Sequence, residues 1–118
     1  MACNRIITEG FDLVLQDETK HFSLTTQDQI NLITLSALAE TQELIPYHAD
    51  NEICKFYTAA EIKSIVAAAT QFKMYHTTYY NALKNYINHL DNITDIAAVS
   101  YGMKLPEEYQ SDVLKAIT

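Results

Sequence analysis

The stretch TAAEIKSIVAAATQFKMYHTTYYNALKNYINHL, Thr58 to Leu90, decides the architecture of this chain. Thr58 with Glu61 three residues on is a capping box, in which a hydroxyl and a carboxylate each satisfy a backbone N–H at the helix start. Behind it, Ile62, Ile65, Val66, Ala69, Phe72, His76, Tyr79, Leu83, Tyr86, Ile87 and Leu90 follow a spacing of three and four residues. That spacing puts one apolar face on a single helix. Unbroken, it would extend about 48 Å at about 1.5 Å per residue. The β-branched pair Thr77 and Thr78 is where a bend is expected.

Working outward, two hairpins precede this helix. Phe11 to Gln16 alternates, with Phe11, Leu13 and Leu15 on one side, and His21 to Leu24 returns with Phe22 and Leu24 inward. Asp17-Glu18-Thr19-Lys20 reads as the turn between them. Leu44 to Tyr57 reads as a second hairpin around the turn Ala49-Asp50-Asn51-Glu52, with Ile45, Tyr47, Ile53 and Phe56 as strand formers and Pro46 on an edge. Between the hairpins, Thr26 to Gln29 fits a capping box, and Ile30, Ile33, Leu35 and Leu38 form the stripe of a helix running to about Glu40. Its contiguous LITLSALA is apolar nearly all round, which suggests a central helix.

After the long helix, Ile93 to Tyr101 reads as a short helix closed by Gly102. Pro106 opens a last helix, with Glu107 and Glu108 in its first turn and a stripe of Tyr109, Val113, Leu114 and Ile117. Met1 to Gly10 reads as a loosely held arm, apart from Ile6 and Ile7. The sum is a predominantly helical α+β fold: two short β-hairpins and about four helices, one long over about 59–90, in a single domain spanning 1–118.

Composition sets bounds on function. The chain has 118 residues, 48% hydrophobic, and a formal net charge of −7. An acidic chain without a basic stripe is a poor ligand for phosphate backbones, so direct nucleic-acid binding is not expected. Two glycines cannot build a phosphate-cradling loop, and no nucleotide-binding or nucleophile-elbow motif occurs. Cys3 and Cys54 lack the spacing of a metal ribbon or redox pair and are expected as free thiols in a reducing cytoplasm, Cys54 as a small buried hydrophobe in its strand. No apolar run is long enough to span a membrane, and no signal peptide is visible.

The candidate chemistry is sparse. His21, His48, His76 and His89 are scattered, with no metal-binding spacing. His76, one turn before Tyr80, reads as a core histidine bonded to a hydroxyl or as a general base. His48 and Asp50, on a turn beside Tyr47, serve turn geometry or form an acid–base or metal-binding pair. Eight tyrosines are many for this length. Tyr75, Tyr79 and Tyr80 cannot all face one core, so some are expected at the surface, where tyrosine suits protein contacts. The candidate interaction residues are therefore Tyr47, His48, Asp50, Tyr75, Tyr79 and Tyr80, with no catalytic residue, cofactor or metal.

Four stretches carry a resemblance: FSLTTQDQINL (22–32), IPYHADNEICKFYTAAEI (45–62), YHTTYYNALKNYIN (75–88) and LPEEYQSDVLKAI (105–117). In order and wording they resemble a small domain of tailed-phage and prophage proteins of Gram-positive bacteria, encoded in the tail module and often placed at the C-terminal end of longer tail or tail-fibre-associated chains. The resemblance implies a non-enzymatic, tail-associated structural or assembly protein. Its partners would be other tail proteins or itself, in the host cytoplasm or incorporated into the virion. A start at methionine suggests a free-standing tail protein, or a tail-derived domain reused for another purpose. The alternative is a phage-encoded inhibitor of host defence, of the anti-CRISPR type. There Asp12, Asp17, Glu18, Asp50 and Glu52 would imitate DNA in the basic channel of a Cas nuclease or another defence protein.

Overall fold

The computed structural model describes residues 2–117. In chain order it contains α1 (Ala2–Glu9), β1 (Phe11–Leu15), β2 (Glu18–Phe22), α2 (Thr26–Leu38), β3 (Leu44–Tyr47), β4 (Lys55–Thr58), α3 (Ala59–Asn88), α4 (Ile93–Ala97), a 3₁₀ turn (Glu107–Tyr109) and α5 (Asp112–Ile117). The fold is α+β, with one long helix and two separate two-stranded antiparallel sheets. Contacts group the chain into two compact units. One is Asn4–Phe72, and the other is 73–117 with the first residues of α1.

The N-terminal segment is a helix rather than an arm. In α1, Cys3 and Ile7 are buried four residues apart on one face, and Arg5 pairs with Glu9 on the outside at 3.2 Å. Only eight residues carry this pattern, too few to stand out from a polar tail in the sequence.

In the unit Asn4–Phe72, β1 and β2 join through Gln16 and Asp17, at φ 53° and 65°. Two successive left-handed residues match the right-handed twist of the flanking strands. The turn is therefore tighter than expected, and Glu18 to Lys20 belong to β2. Phe11 pairs with Phe22, Asp12 with His21, Leu13 with Lys20 and Leu15 with Glu18. Phe11, Leu15 and Phe22 are buried, and the rings of Phe11 and Phe22 stack at 5.9 Å. The chain leaves α1 through Gly10 at φ 88°, where a Cβ would lie 1.9 Å from the Phe22 carbonyl oxygen.

Helix α2 starts one residue earlier than expected. Thr25 is its N-cap: the Asp28 N–H donates to Thr25 Oγ1 at 3.1 Å, and the Thr25 N–H donates to the Asp28 carboxylate at 3.1 Å. Of two consecutive threonines, the first is the one whose third residue on is a carboxylate. Gln29 instead donates to the Leu24 carbonyl at 3.0 Å. The buried positions are Leu32, Leu35 and Ala39, while Ile30 and Ile33 are exposed. A segment apolar on all sides does not specify which face is covered: of the expected stripe, Leu35 is buried and Leu38 half-buried, and Ile30 and Ile33 fall outside the covered face.

The second hairpin forms as expected. Ile45 faces Tyr57, Pro46 faces Phe56, and Asn51 takes φ 63° in the connection. Ile45 and Tyr57 are fully buried. Ile53 and Cys54 fall outside the strands because β4 starts only at Lys55, and both are exposed. The capping box of α3 is present: the Thr58 N–H donates to Glu61 at 2.9 Å, and the Glu61 N–H donates to Thr58 Oγ1 at 3.1 Å. Ile62, Ile65 and Ala69 carry the buried face of α3 in this unit.

In the second unit, Tyr79, Ala82 and Leu83 of α3 pack with Leu105 and Leu114. Helix α4 is shorter than expected and is capped by Asn92, whose side-chain oxygen accepts from the Thr94 N–H at 2.7 Å. Gly102, at φ 99°, lies beyond its end and does not cap it. Pro106 precedes a 3₁₀ turn rather than a helix. α5 begins at Asp112, after Ser111, whose hydroxyl accepts from the Leu114 N–H at 3.0 Å. A hydroxyl at that spacing caps better than Pro106, which has no side-chain acceptor. Leu114 is buried and Val113 is exposed, so only part of the expected stripe is covered.

The two glycines provide a test. Gly102→Ala meets no neighbour within 4 Å, so it is expected to cost only the backbone strain, about 1–2 kcal/mol. Gly10→Ala adds a collision with rigid backbone and is expected to lower the urea midpoint at least twice as far.

Candidate functional site

Tyr47 ends β3, and the connection to β4 holds the candidates His48, Asp50 and Glu52. His48 and Asp50 do not form a pair. His48 Nδ1 lies 2.9 Å from the Ala49 carbonyl oxygen. The Asp50 carboxylate accepts the Ser23 N–H at 3.0 Å and also the Ser23 hydroxyl, and the Asp50 N–H donates to the His21 carbonyl at 2.8 Å. Tyr47 stacks on Phe22 at 6.0 Å and is half-buried; burial pushes its phenol up to about 12. Among the described residues, no group of three metal-ligating side chains comes together.

The centre that spacing does not reveal is His21. Its Nδ1 is 2.7 Å from the Asp12 carboxylate across the β1–β2 pair. Its Nε2 is 2.5 Å from the Glu9 carbonyl oxygen and 3.9 Å from the Asp50 carboxylate. A neutral imidazole carries one N–H, and only the imidazolium donates from both nitrogens. The ring therefore sits among acceptors that favour its charged form. Asp12 first, and then the Glu9 carbonyl, hold its pKa above the ordinary histidine value.

Ser23, His21 and Asp50 are the residue types of a nucleophilic triad, but their roles differ. The Ser23 hydroxyl donates to Asp50, and both nitrogens of His21 face other acceptors. A nucleophile needs a base with a free lone pair at its hydroxyl. This cluster works instead as a clasp joining the end of α1, the first hairpin and the β3–β4 connection.

Lys20 makes a second tie. It is on the inward side of the first hairpin and only 6% exposed. Its ammonium lies 2.8 and 3.1 Å from the two carboxylate oxygens of Glu52, and 3.4 Å from Glu18. Glu52 holds the Lys20 pKa well above the ordinary range, and Lys20 holds that of Glu52 below it. So of the five acidic candidates, Asp12, Glu18, Asp50 and Glu52 each meet a cation of the same unit. Asp17 lies exposed at the turn.

The tyrosine-rich part of α3 also divides. Tyr79 is buried; its hydroxyl donates to the Met103 carbonyl and accepts the Gly102 N–H at 3.1 Å. Tyr75 and Tyr80 are half-buried, and Tyr75 stacks on Tyr79 with centroids 6.2 Å apart. The hydroxyl at His76 Nδ1 is that of Tyr101, 2.9 Å away. Burial lowers the His76 pKa. Cys3 is buried, and its thiol donates to the His76 carbonyl at 3.5 Å.

Exposed apolar side chains lie elsewhere, and some of them share one strand face. In the second hairpin, Ile45 and Tyr57 face inward, so Leu44, Pro46, Phe56 and Thr58 share the opposite face. Leu44 is 53% exposed and Phe56 is 68% exposed. On α2, Ile30 and Ile33 are exposed about one turn apart. Period-two alternation marks both faces of a strand, and apolar residues on both faces at 44–46 and 56–57 are the one sequence signal for this surface.

A capped α+β domain with clasped hairpins and an open apolar strand face defines a class by architecture. The chain belongs to the family of the domain of unknown function DUF4376, whose profile matches residues 1–101. No curated protein and no solved structure matches the chain. No helix among the described residues is long and apolar enough to cross a membrane.

The clasp fixes a pH dependence. A histidine whose pKa is raised in the folded state contributes its full stabilisation below its unfolded value near 6.5. That contribution is lost as pH rises through the folded value. The wild-type urea midpoint is therefore expected to fall between pH 6 and pH 9. His21→Gln should start lower and show a shallower fall; parallel curves for the two proteins would remove His21 as the cause.

Proposed function

We propose that this is a non-enzymatic, phage- or prophage-derived protein that associates with the virion tail and works through protein–protein contacts. The four stretches spread from Phe22 to Ile117 support the tail association by their resemblance. The observation that carries the contact reading is the outer face of the second hairpin. Leu44, Pro46 and Phe56 put apolar area in water on an element whose other face is already fully used by Ile45 and Tyr57. Such a face is stable in solution but gains by being covered. The partner is another tail subunit or a second copy of the chain.

Inhibition of host defence by acidic mimicry has less support. Asp12, Glu18, Asp50 and Glu52 are engaged with Lys20 or His21. Imitating a phosphate backbone needs charges presented outward to a partner.

Phe56→Glu with Leu44→Gln tests the contact reading. Both positions are exposed, so the circular-dichroism spectrum and urea midpoint should change little. Recovery of tail subunits, or self-association by sedimentation, should drop about tenfold or more, as for loss of an interface anchor. Undiminished association of the double variant would remove this face as the contact. Recovery of a Cas nuclease in place of tail subunits would overturn the tail assignment.

A further inference from the structure

The second unit contains a cavity of about 270 Å³ that neither the clasp nor the hairpin face involves. Tyr75 and Tyr79 form one wall, their rings within 13° of parallel. Met103, Leu105 and Leu114 supply apolar surface, and Lys104 lines the same cavity. The Tyr79 ring is fixed by its two hydrogen bonds to the 102–103 backbone. The Gln110 amide is held by the Leu105 carbonyl at 2.8 Å, which steadies the opposite side.

Two polar groups in this lining are uncommitted. Neither the Tyr75 hydroxyl nor the Lys104 ammonium has a hydrogen bond or ion pair among the described residues. Both are donors. In a chain of net charge −7, a lysine without a carboxylate partner beside an aromatic wall is a place where an anion is favoured. Parallel rings and a thioether favour a flat aromatic body. At about 30 Å³ per water-sized group, the volume holds roughly nine non-hydrogen atoms.

We infer that this cavity binds a small aromatic carboxylate, its ring against Tyr75, Tyr79 and Met103 and its carboxylate toward Lys104 and Tyr75. The inference does not rest on the tail-protein reading, and its test uses the isolated chain.

Benzoate is the probe, and benzamide is its uncharged counterpart of the same shape. The full chain, labelled at its methionine methyl groups, is titrated with each and followed by NMR, with Met103→Leu identifying the Met103 signal. Benzoate is expected to shift the Met103 signal saturably and leave that of Met74, which does not line the cavity, in place. Benzoate should bind about twofold to fivefold more tightly than benzamide, the range of one partly exposed charge pair. Lys104→Gln should remove that advantage while leaving benzamide binding unchanged, which also shows that the variant is folded. The inference is overturned by any of three results: no saturable Met103 shift, equal binding of acid and amide, or an acid preference that survives Lys104→Gln.

Discussion

The unit Asn4–Phe72 depends on the turn Ala49–Glu52 being tied to the second strand. Each sheet here has only two strands, and an isolated two-stranded hairpin is marginal in water. Asp50 accepts both donors of Ser23 and gives its own N–H to His21, while Glu52 takes the buried ammonium of Lys20. Two residues of one turn thus reach Lys20 and His21 in β2 and Ser23 just beyond it. Gly10 is required by the same arrangement, since the chain leaving α1 passes against the Phe22 backbone. The ring contacts Phe11–Phe22 and Phe22–Tyr47 add apolar packing within the first hairpin and between the two hairpins.

This arrangement changes what the negative charge means. Read along the chain, the acidic residues of the hairpins form an outward electrostatic face. In three dimensions most of them neutralise Lys20 or His21. A lysine 6% exposed is tolerable only because two carboxylates meet it, and a doubly hydrogen-bonded imidazole only because acceptors surround it. Part of the charge is offset inside the unit, although Asp12 and Glu18 keep most of their side-chain surface in water, and the outer face of the second hairpin is apolar.

Much of the fold was legible in the sequence where one local rule decides the outcome. Thr58 and Glu61 can cap only one helix, and Asn51 suits a left-handed turn position; both hold. The rule is weaker where two readings share a pattern. Thr25 and Thr26 both offer a hydroxyl, LITLSALA is apolar on every face, and a polar eight-residue segment gives α1 little signal. The candidate site was legible in its residues but not in its pairings. His48 and Asp50 are neighbours in sequence, yet Asp50 is bonded to Ser23, 27 residues away, and Lys20 to Glu52, 32 away. Such partners follow from how two hairpins meet, which no periodicity encodes.

The second hairpin combines an open face with a restrained edge. A short exposed strand invites uncontrolled pairing through its free N–H and C=O groups. Here Pro46 removes one N–H from β3, and Lys55 places a charge on β4, over the ring of Tyr57. Both strands are only four residues long. Backbone pairing with a stray strand is therefore discouraged, while the side chains of Leu44 and Phe56 stay presented. Contact through this face would select a partner by shape and apolar complementarity rather than by strand addition. A partner with a complementary apolar surface gains from covering it, and a generic strand does not.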